Sequence, residues 1–187
     1  NTEILRTKNT IIFSENSITL SSEGEFITDF WTNRIGFNLL IPLQNHVGSN
    51  VIVTSETDVK EEKKFPEFIK PDQPFFKFKN LAYTLDDSLL VNINFEGILF
   101  EMEDQRNWGD ASFKIYSGSL LDPFPYLEKG GTNFSQTVKI DVVNKKQRSF
   151  PSKNIVKIDH TTSYKFPKIG IKIDSPILTD DNLINNF

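Results

Sequence analysis

The densest run of chemically capable side chains is Glu101-Met102-Glu103-Asp104-Gln105-Arg106-Asn107-Trp108-Gly109-Asp110. On a strand, Glu101 and Glu103 stand on one face about 7 Å apart, because alternate residues share a face and each rises roughly 3.3–3.4 Å. That spacing suits an acid/base pair, one carboxylate activating a water, or a set of oxygen ligands for a hard cation. Arg106 can clamp a carboxylate or stabilise an oxyanion. Asn107 and Asp110 can hydrogen-bond hydroxyl groups, and Trp108 offers a face for stacking on a sugar. The same residues also describe a solvated strand end whose arginine neutralises its acidic neighbours, since ion-pair networks perturb carboxylates without catalysis.

Other candidates are sparser. Asn33 and Arg34 precede the first long strand pattern and can reach a site from its end. His46 and His160 are lone histidines without a second ligand at metal-binding spacing, so they read as packing residues and no metal is expected. Gly130-Gly131 reads as a turn and lacks the strand-to-helix context of a phosphate loop. No serine sits in a Gly-x-Ser-x-Gly elbow, and nothing in the chain asks for a cofactor.

The elements that must position these residues are strands. The 187 residues include 17 Phe, and the best helix former appears only as Ala82 and Ala111. Phe, Ile, Val, Thr and Asn dominate, with 9 Gly and 9 Pro as punctuation, a composition that favours strands joined by turns. Ile18–Leu20 and Phe26–Phe30 flank Ser21-Ser22-Glu23-Gly24 and read as a hairpin. Ile35, Phe37, Leu39, Ile41 and Leu43 alternate along one face, and Val51–Thr54 makes a short strand. Asp58–Pro74 carries three prolines and the charged run Glu61-Glu62-Lys63-Lys64, and reads as a solvated surface loop. Phe75–Tyr83 reads as extended. Leu89, Val91, Ile93 and Phe95 give the clearest period of two, and Gly97 reads as a bulge or bend. Phe100 and Met102 then face opposite to Glu101 and Glu103. Strands also fit Phe113–Ile115, Val138–Val142 and Ile155–Asp159.

The last twenty residues change character. Ile169, Ile171 and Ile173 suggest a strand, and Thr179, Asp180 and Asp181 open a helix carrying Leu183, Ile184 and Phe187. The expected architecture is therefore all-β: a mostly antiparallel β-sandwich over residues 1–165. A linker and strand–helix tail over 166–187 then look like the start of a β/α barrel. One strand–helix unit cannot bury its own faces. The expected companion is thus a C-terminal barrel domain of the same polypeptide. Met102 is the only methionine, which makes the chain a processed product or part of a longer one.

The formal net charge of −4 comes from 21 basic and 25 acidic residues interspersed along the chain, which gives nucleic acid no basic face. No apolar run reaches the roughly 18–20 residues of a membrane span. Cysteine is absent, which removes thiol nucleophiles and disulfides and leaves the compartment open, with the cytoplasm favoured.

Residues 101–116, Glu-Met-Glu-Asp-Gln-Arg-Asn-Trp-Gly-Asp-Ala-Ser-Phe-Lys-Ile-Tyr, resemble the signature stretch of the D-apionate lactonase family. Thr32-Asn33-Arg34-Ile35-Gly36-Phe37 with Ile41-Pro42-Leu43, the Phe65-Pro66 to Pro74 stretch, and Phe95-Glu96-Gly97 agree with it. A departure lies at Ile41, which stands before Pro42 where that family tends to have His. The resemblance implies a β-rich N-terminal domain of a hydrolase that opens D-apionolactone to D-apionate, with a barrel domain after it. Two readings follow. In one, this domain lends Glu101, Glu103 and Arg106 to catalysis on a sugar-derived lactone, with Asn33, Arg34, Asn107, Trp108 and Asp110 holding substrate. In the other it is a non-catalytic module that binds carbohydrate or supports the barrel.

Overall fold

A computed structural model describes residues 3–86 and 88–144. Among them the chain forms β1 (Leu5–Ser14), β2 (Ser17–Phe26), β3 (Phe30–Thr32), β4 (Asn38–Pro42), β5 (Asn50–Ser55) and β6 (Lys60–Lys64). It continues through β7 (Phe75–Leu85), β8 (Leu89–Glu96), β9 (Phe100–Asp104), β10 (Ser112–Ser117), β11 (Tyr126–Glu128) and β12 (Asn133–Asn144). A 3₁₀ turn at Gln105–Trp108 is the only helical piece among the described residues. All pairings are antiparallel, as expected of the all-β reading. Ten strands make one curled sheet in the order β1-β2-β12-β8-β7-β9-β10-β4, with β5 and β6 branching from β7. Strands β11 and β3 pair separately.

The bend that closes this sheet over its core lies in one long hairpin. Asn80–Leu85 pairs with Leu89–Asn94, whereas Phe78 and Phe75 pair with Phe100 and Met102. Strands β8 and β9 thus run in succession along β7, interrupted by Gly97–Leu99. The pleat slips on the opposite strand as well, where Lys77 takes φ 43°. Gly97 has φ 94°, and a Cβ there would strike the Ser135 carbonyl, so only glycine fits. Strands β12, β2 and β1 extend from the β8 half, and β10 and β4 from the β9 half.

Both wings close on one apolar interior. Phe78 packs on Phe95 with ring centroids 5.6 Å apart, and Phe95 on Phe100 at 4.3 Å. Phe65 is enclosed by Phe75, Tyr83, Phe113 and His46 at centroid distances of 5.4 to 6.0 Å. Fully burying each such ring contributes about 1.5–3 kcal/mol.

Two local expectations are corrected. Ser21–Gly24 is no turn: β2 runs straight through it, and the hairpin turn lies at Glu15–Asn16. Pairing on both sides overrides the local composition, because β2 lies between β1 and β12 and Gly24 makes room for the Phe134 ring. The charged run Lys60–Lys64 is not loop but strand β6, paired with β5 at the sheet edge. All five of its residues are exposed, so no apolar alternation marked it; edge position and charge are compatible because an edge strand has no face to bury. The expectations at Ile155–Asp159, His160, Ile169–Ile173, the helix from Thr179 and the boundary at 165 lie outside the described residues.

Candidate functional site

The outward face of β4, β10 and β9 carries the acidic run. Lys114 lies opposite Leu40 on one side and Glu103 on the other, and Tyr116 lies opposite Glu101. Glu101 and Glu103 do face away from Phe100 and Met102. That second side is not open water at Glu101, however, because the segment after β10 folds back over it. The Glu101 carboxylate is wholly buried. Its Oε1 accepts from Tyr116 Oη at 2.6 Å and Leu120 N at 2.8 Å, and its Oε2 from Ser119 Oγ at 2.5 Å. Tyr116 also receives Gln73 Nε2 at 3.3 Å. Burial pushes the Tyr116 phenol up, and the hydrogen bond and charge of Glu101 add to this. The Arg34 guanidinium stacks 4.6 Å above the Tyr116 ring. Among the described residues it has no carboxylate partner.

Glu103 sits nearer the surface. Its carboxylate accepts from Lys114 Nζ at 2.7 Å, Gln105 Nε2 at 2.7 Å and Trp108 Nε1 at 3.0 Å. Partial burial raises its pKa, but Lys114, Trp108 and Gln105 together outweigh that and hold it below the ordinary glutamate value. Trp108 keeps most of its ring exposed.

Arg106 is turned the other way. Its Nε and Nη2 meet Asp104 at 2.8 and 2.7 Å. Nη1 donates to the Glu67 carbonyl at 2.9 Å, and Nη2 also reaches the carbonyls of Pro66 and Phe68 at 3.0 Å. Asp104 also accepts from Lys70 N at 3.1 Å. Burial opposes ionisation of Asp104, yet the Arg106 and Lys70 hydrogen bonds hold its carboxyl below the usual aspartate value. Asn107 Nδ2 reaches the Lys70 carbonyl at 2.7 Å. The pair and Asn107 therefore strap the Pro-rich segment 66–70 to the end of β9. Asp110 caps the start of β10, accepting from Ala111 N at 2.7 Å and Ser112 Oγ at 3.2 Å. Glu101, Glu103 and Arg106 share no hydrogen-bonding partner.

Beside the Glu101 cluster lies a cleft of about 460 Å³, lined among others by Asn33, Ser119, Asp122, Tyr126, Glu128 and Asn133. Gln136, almost fully buried, forms its floor, receiving Phe37 N at 3.2 Å and donating to Ile35 O at 3.0 Å. Gly36 makes this close approach possible, since a Cβ would collide with the Gln136 carboxamide. Arg34 stands between Asn33 and Ile35 of the lining, and its charge is felt by the Tyr126 phenol, which burial and Glu128 push up. Of the sequence-derived residues, Asn33 lines this cleft and Arg34 stands beside it on the Tyr116 ring; Glu103 and Trp108 lie together on the open face; Arg106, Asn107 and Asp110 serve the turn that ends β9.

Residues 1–145 match the family of the D-apionate lactonase N-terminal domain. The chain is also 32% identical over 164 residues to the D-apionate lactonase of Brucella anthropi, an alignment covering 86% of this chain and 27% of that enzyme. The chain belongs to the D-apionate lactonase N-terminal domain family. It spans about a quarter of the length of that lactonase relative. The family match takes in the whole described sheet, so the cleft and the strap at Arg106 are both parts of this lactonase N-terminal domain.

Sequence reasoning missed Tyr116, Ser119, Asp104 and Gln136 as site-building residues. Ser119 and Gln136 lie in ordinary loop and strand contexts and gave no signal. Asp104 had one: it shares the side of Phe100 and Met102 on a strand, and a charge in that register has to be paired.

Proposed function

We propose that this chain is the β-rich N-terminal domain of a longer hydrolase acting on a sugar-derived lactone, D-apionolactone to D-apionate, and that it binds rather than breaks bonds. The Asn33–Arg34 cleft takes the ligand, with the Arg34 guanidinium donating to the ester carbonyl of the lactone or to the carboxylate it becomes on opening. Trp108, Phe68 and Ile69 form the seat of the barrel domain of the same polypeptide. The carrying observation is Arg34: a planar cation stacked on a tyrosine, without an anionic partner among the described residues, next in the chain to Asn33 and Ile35, which line the cleft. Such a group has its donor fork free for a carboxylate. By contrast, each of the two glutamates already accepts three donors, and Arg106 has its donors committed to Asp104 and three carbonyls. A general base needs a lone pair turned toward its water. The exposed Phe68, Ile69 and Trp108 support the seat, as does the greater length of the relative.

Steady-state kinetics of the full-length protein test this reading. Arg34→Gln is expected to raise KM for the lactone at least about tenfold with kcat within about threefold, the signature of lost ground-state binding. Glu103→Gln is expected to leave turnover near normal. A drop in kcat of about 100-fold or more in Glu103→Gln, or an unchanged KM in Arg34→Gln, overturns it.

A further inference from the structure

The outward face of β5, β7 and β8 carries an arrangement that the cleft does not use. On β8, Asn92 and Asn94 alternate with the buried Val91, Ile93 and Phe95 and so point outward together. Between them, on β7, lies Asn80. Its Nδ2 donates to Asn92 Oδ1 at 2.9 Å, to Asn94 Oδ1 at 2.7 Å and to Ile93 O at 3.1 Å. Its own Oδ1 receives Thr54 Oγ1 at 3.4 Å. One carboxamide thus fixes two others with both oxygens turned inward. Their amino groups have no hydrogen-bond partner among the described residues, and the two residues stand about 7 Å apart along the strand.

Asn80, Asn92 and Asn94 line a hollow of about 450 Å³. Its charged rim is balanced, with Lys60 and Lys79 set against Asp58 and Glu96. Lys79 is already satisfied by Asp58 at 2.9 Å and by the Glu56 carbonyl at 3.1 Å. The register of β5 on β7 slips between Thr54 and Ser55, beside the Asn80 pair. The hollow therefore offers neutral donors held in fixed directions, flanked by acceptors, with no net field to select an ion.

We infer that the Asn80–Asn92–Asn94 cluster is a second binding site, specific for a neutral polyhydroxylated ligand such as a sugar ring. The Asn92 and Asn94 amino groups donate to hydroxyls on opposite edges of the ring, and Asp58 and Glu96 accept from them. Preorganisation by Asn80 removes the rotamer entropy that exposed carboxamides otherwise lose on binding. Shallow polar contact without aromatic stacking makes the affinity modest.

Titration of the isotopically labelled 187-residue chain with cellohexaose and with xylohexaose, followed by nuclear magnetic resonance, tests the site. The expected result is a saturable shift of the Asn92 and Asn94 side-chain amide signals with at least one sugar. The double variant Asn92→Asp with Asn94→Asp keeps the oxygens that Asn80 holds and replaces each outward donor with a charged acceptor; it is expected to bind at least about tenfold more weakly. If that variant does not fold, the shift map of the unaltered chain decides. Overturning results are the absence of a saturable shift with either sugar, equal binding by the double variant, or shifts confined to the Asn33–Tyr126 cleft. A stronger response at Asn92 and Asn94 to inorganic phosphate also overturns it. The Arg34→Gln kinetics are independent of this site, so the two proposals fail separately.

Discussion

Asp104 and Arg106 face each other through two parallel hydrogen bonds, Nε to Oδ1 at 2.8 Å and Nη2 to Oδ2 at 2.7 Å, with Asp104 wholly buried. The pair sits two residues apart at the end of β9 and holds the chain at Pro66, Glu67 and Phe68. A buried ion pair contributes little relative to an apolar replacement, but removal of one partner strands the other.

Arg106→Ala is accordingly expected to lower stability by about 3–5 kcal/mol, since it leaves the Asp104 charge without its partner and three backbone carbonyls without a donor. Urea unfolding of Arg106→Ala, Asp104→Asn and the double variant measures this. A coupling between the two sites near zero contradicts the strap.

Tyr83 contributes to the alkaline limit alongside Tyr116 and Tyr126, whose phenols are also pushed up. It is packed edge-on against Phe65 and His46, and burial pushes its phenol up to about 12. The folded state therefore holds the proton more tightly than the unfolded chain does. The stabilising contribution is complete below about 10, the unfolded value, and is lost as pH rises from there through the folded one. The expected loss approaches 2–3 kcal/mol, at about 1.4 kcal/mol per unit. Tyr83→Phe is expected to make this alkaline limb shallower in thermal melts taken at stepped pH, with Tyr116 and Tyr126 accounting for what is left; an unaltered limb refutes the assignment.

Gly97→Ala tests the bend between β8 and β9. The backbone there has φ 94°, and an added methyl meets the Ser135 carbonyl. The conformation alone costs about 1–3 kcal/mol for a residue with a Cβ. Because Gly97 and Ser135 both line the cleft, the variant is also expected to raise KM for the lactone in the full-length protein. Wild-type stability would show that the bend tolerates a side chain.

Local alternation fixed the strands whose inner face is apolar. Leu89–Phe95, Phe113–Ile115 and Val138–Val142 could be read directly, because a half-buried strand repeats its environment every two residues. Gly97 was legible as a bend for a similar reason: a glycine interrupting that period marks a place where a side chain does not fit. The period fails where an element has no buried face or two. Strand β6 is exposed throughout, so its pairing with β5 left no trace in residue type. At Glu101 both faces are covered, and a carboxylate in the outward register ends up without solvent exposure.

What the sequence determined by itself was the all-β character, the apolar faces, the polar run at the end of β9 and the family to which these residues belong. What only the tertiary structure decided was which partners each charged group meets. Whether Glu101 is a free base or an anchored acceptor depends on Tyr116, Ser119 and Leu120, which arrive from 15 to 19 residues away. Whether Arg106 or Arg34 is the available cation depends on which of them meets a carboxylate, and Asp104 takes only the first. Residue type sets what a group can donate or accept; the donors and acceptors that reach it are set by contacts between distant segments, which local spacing does not encode.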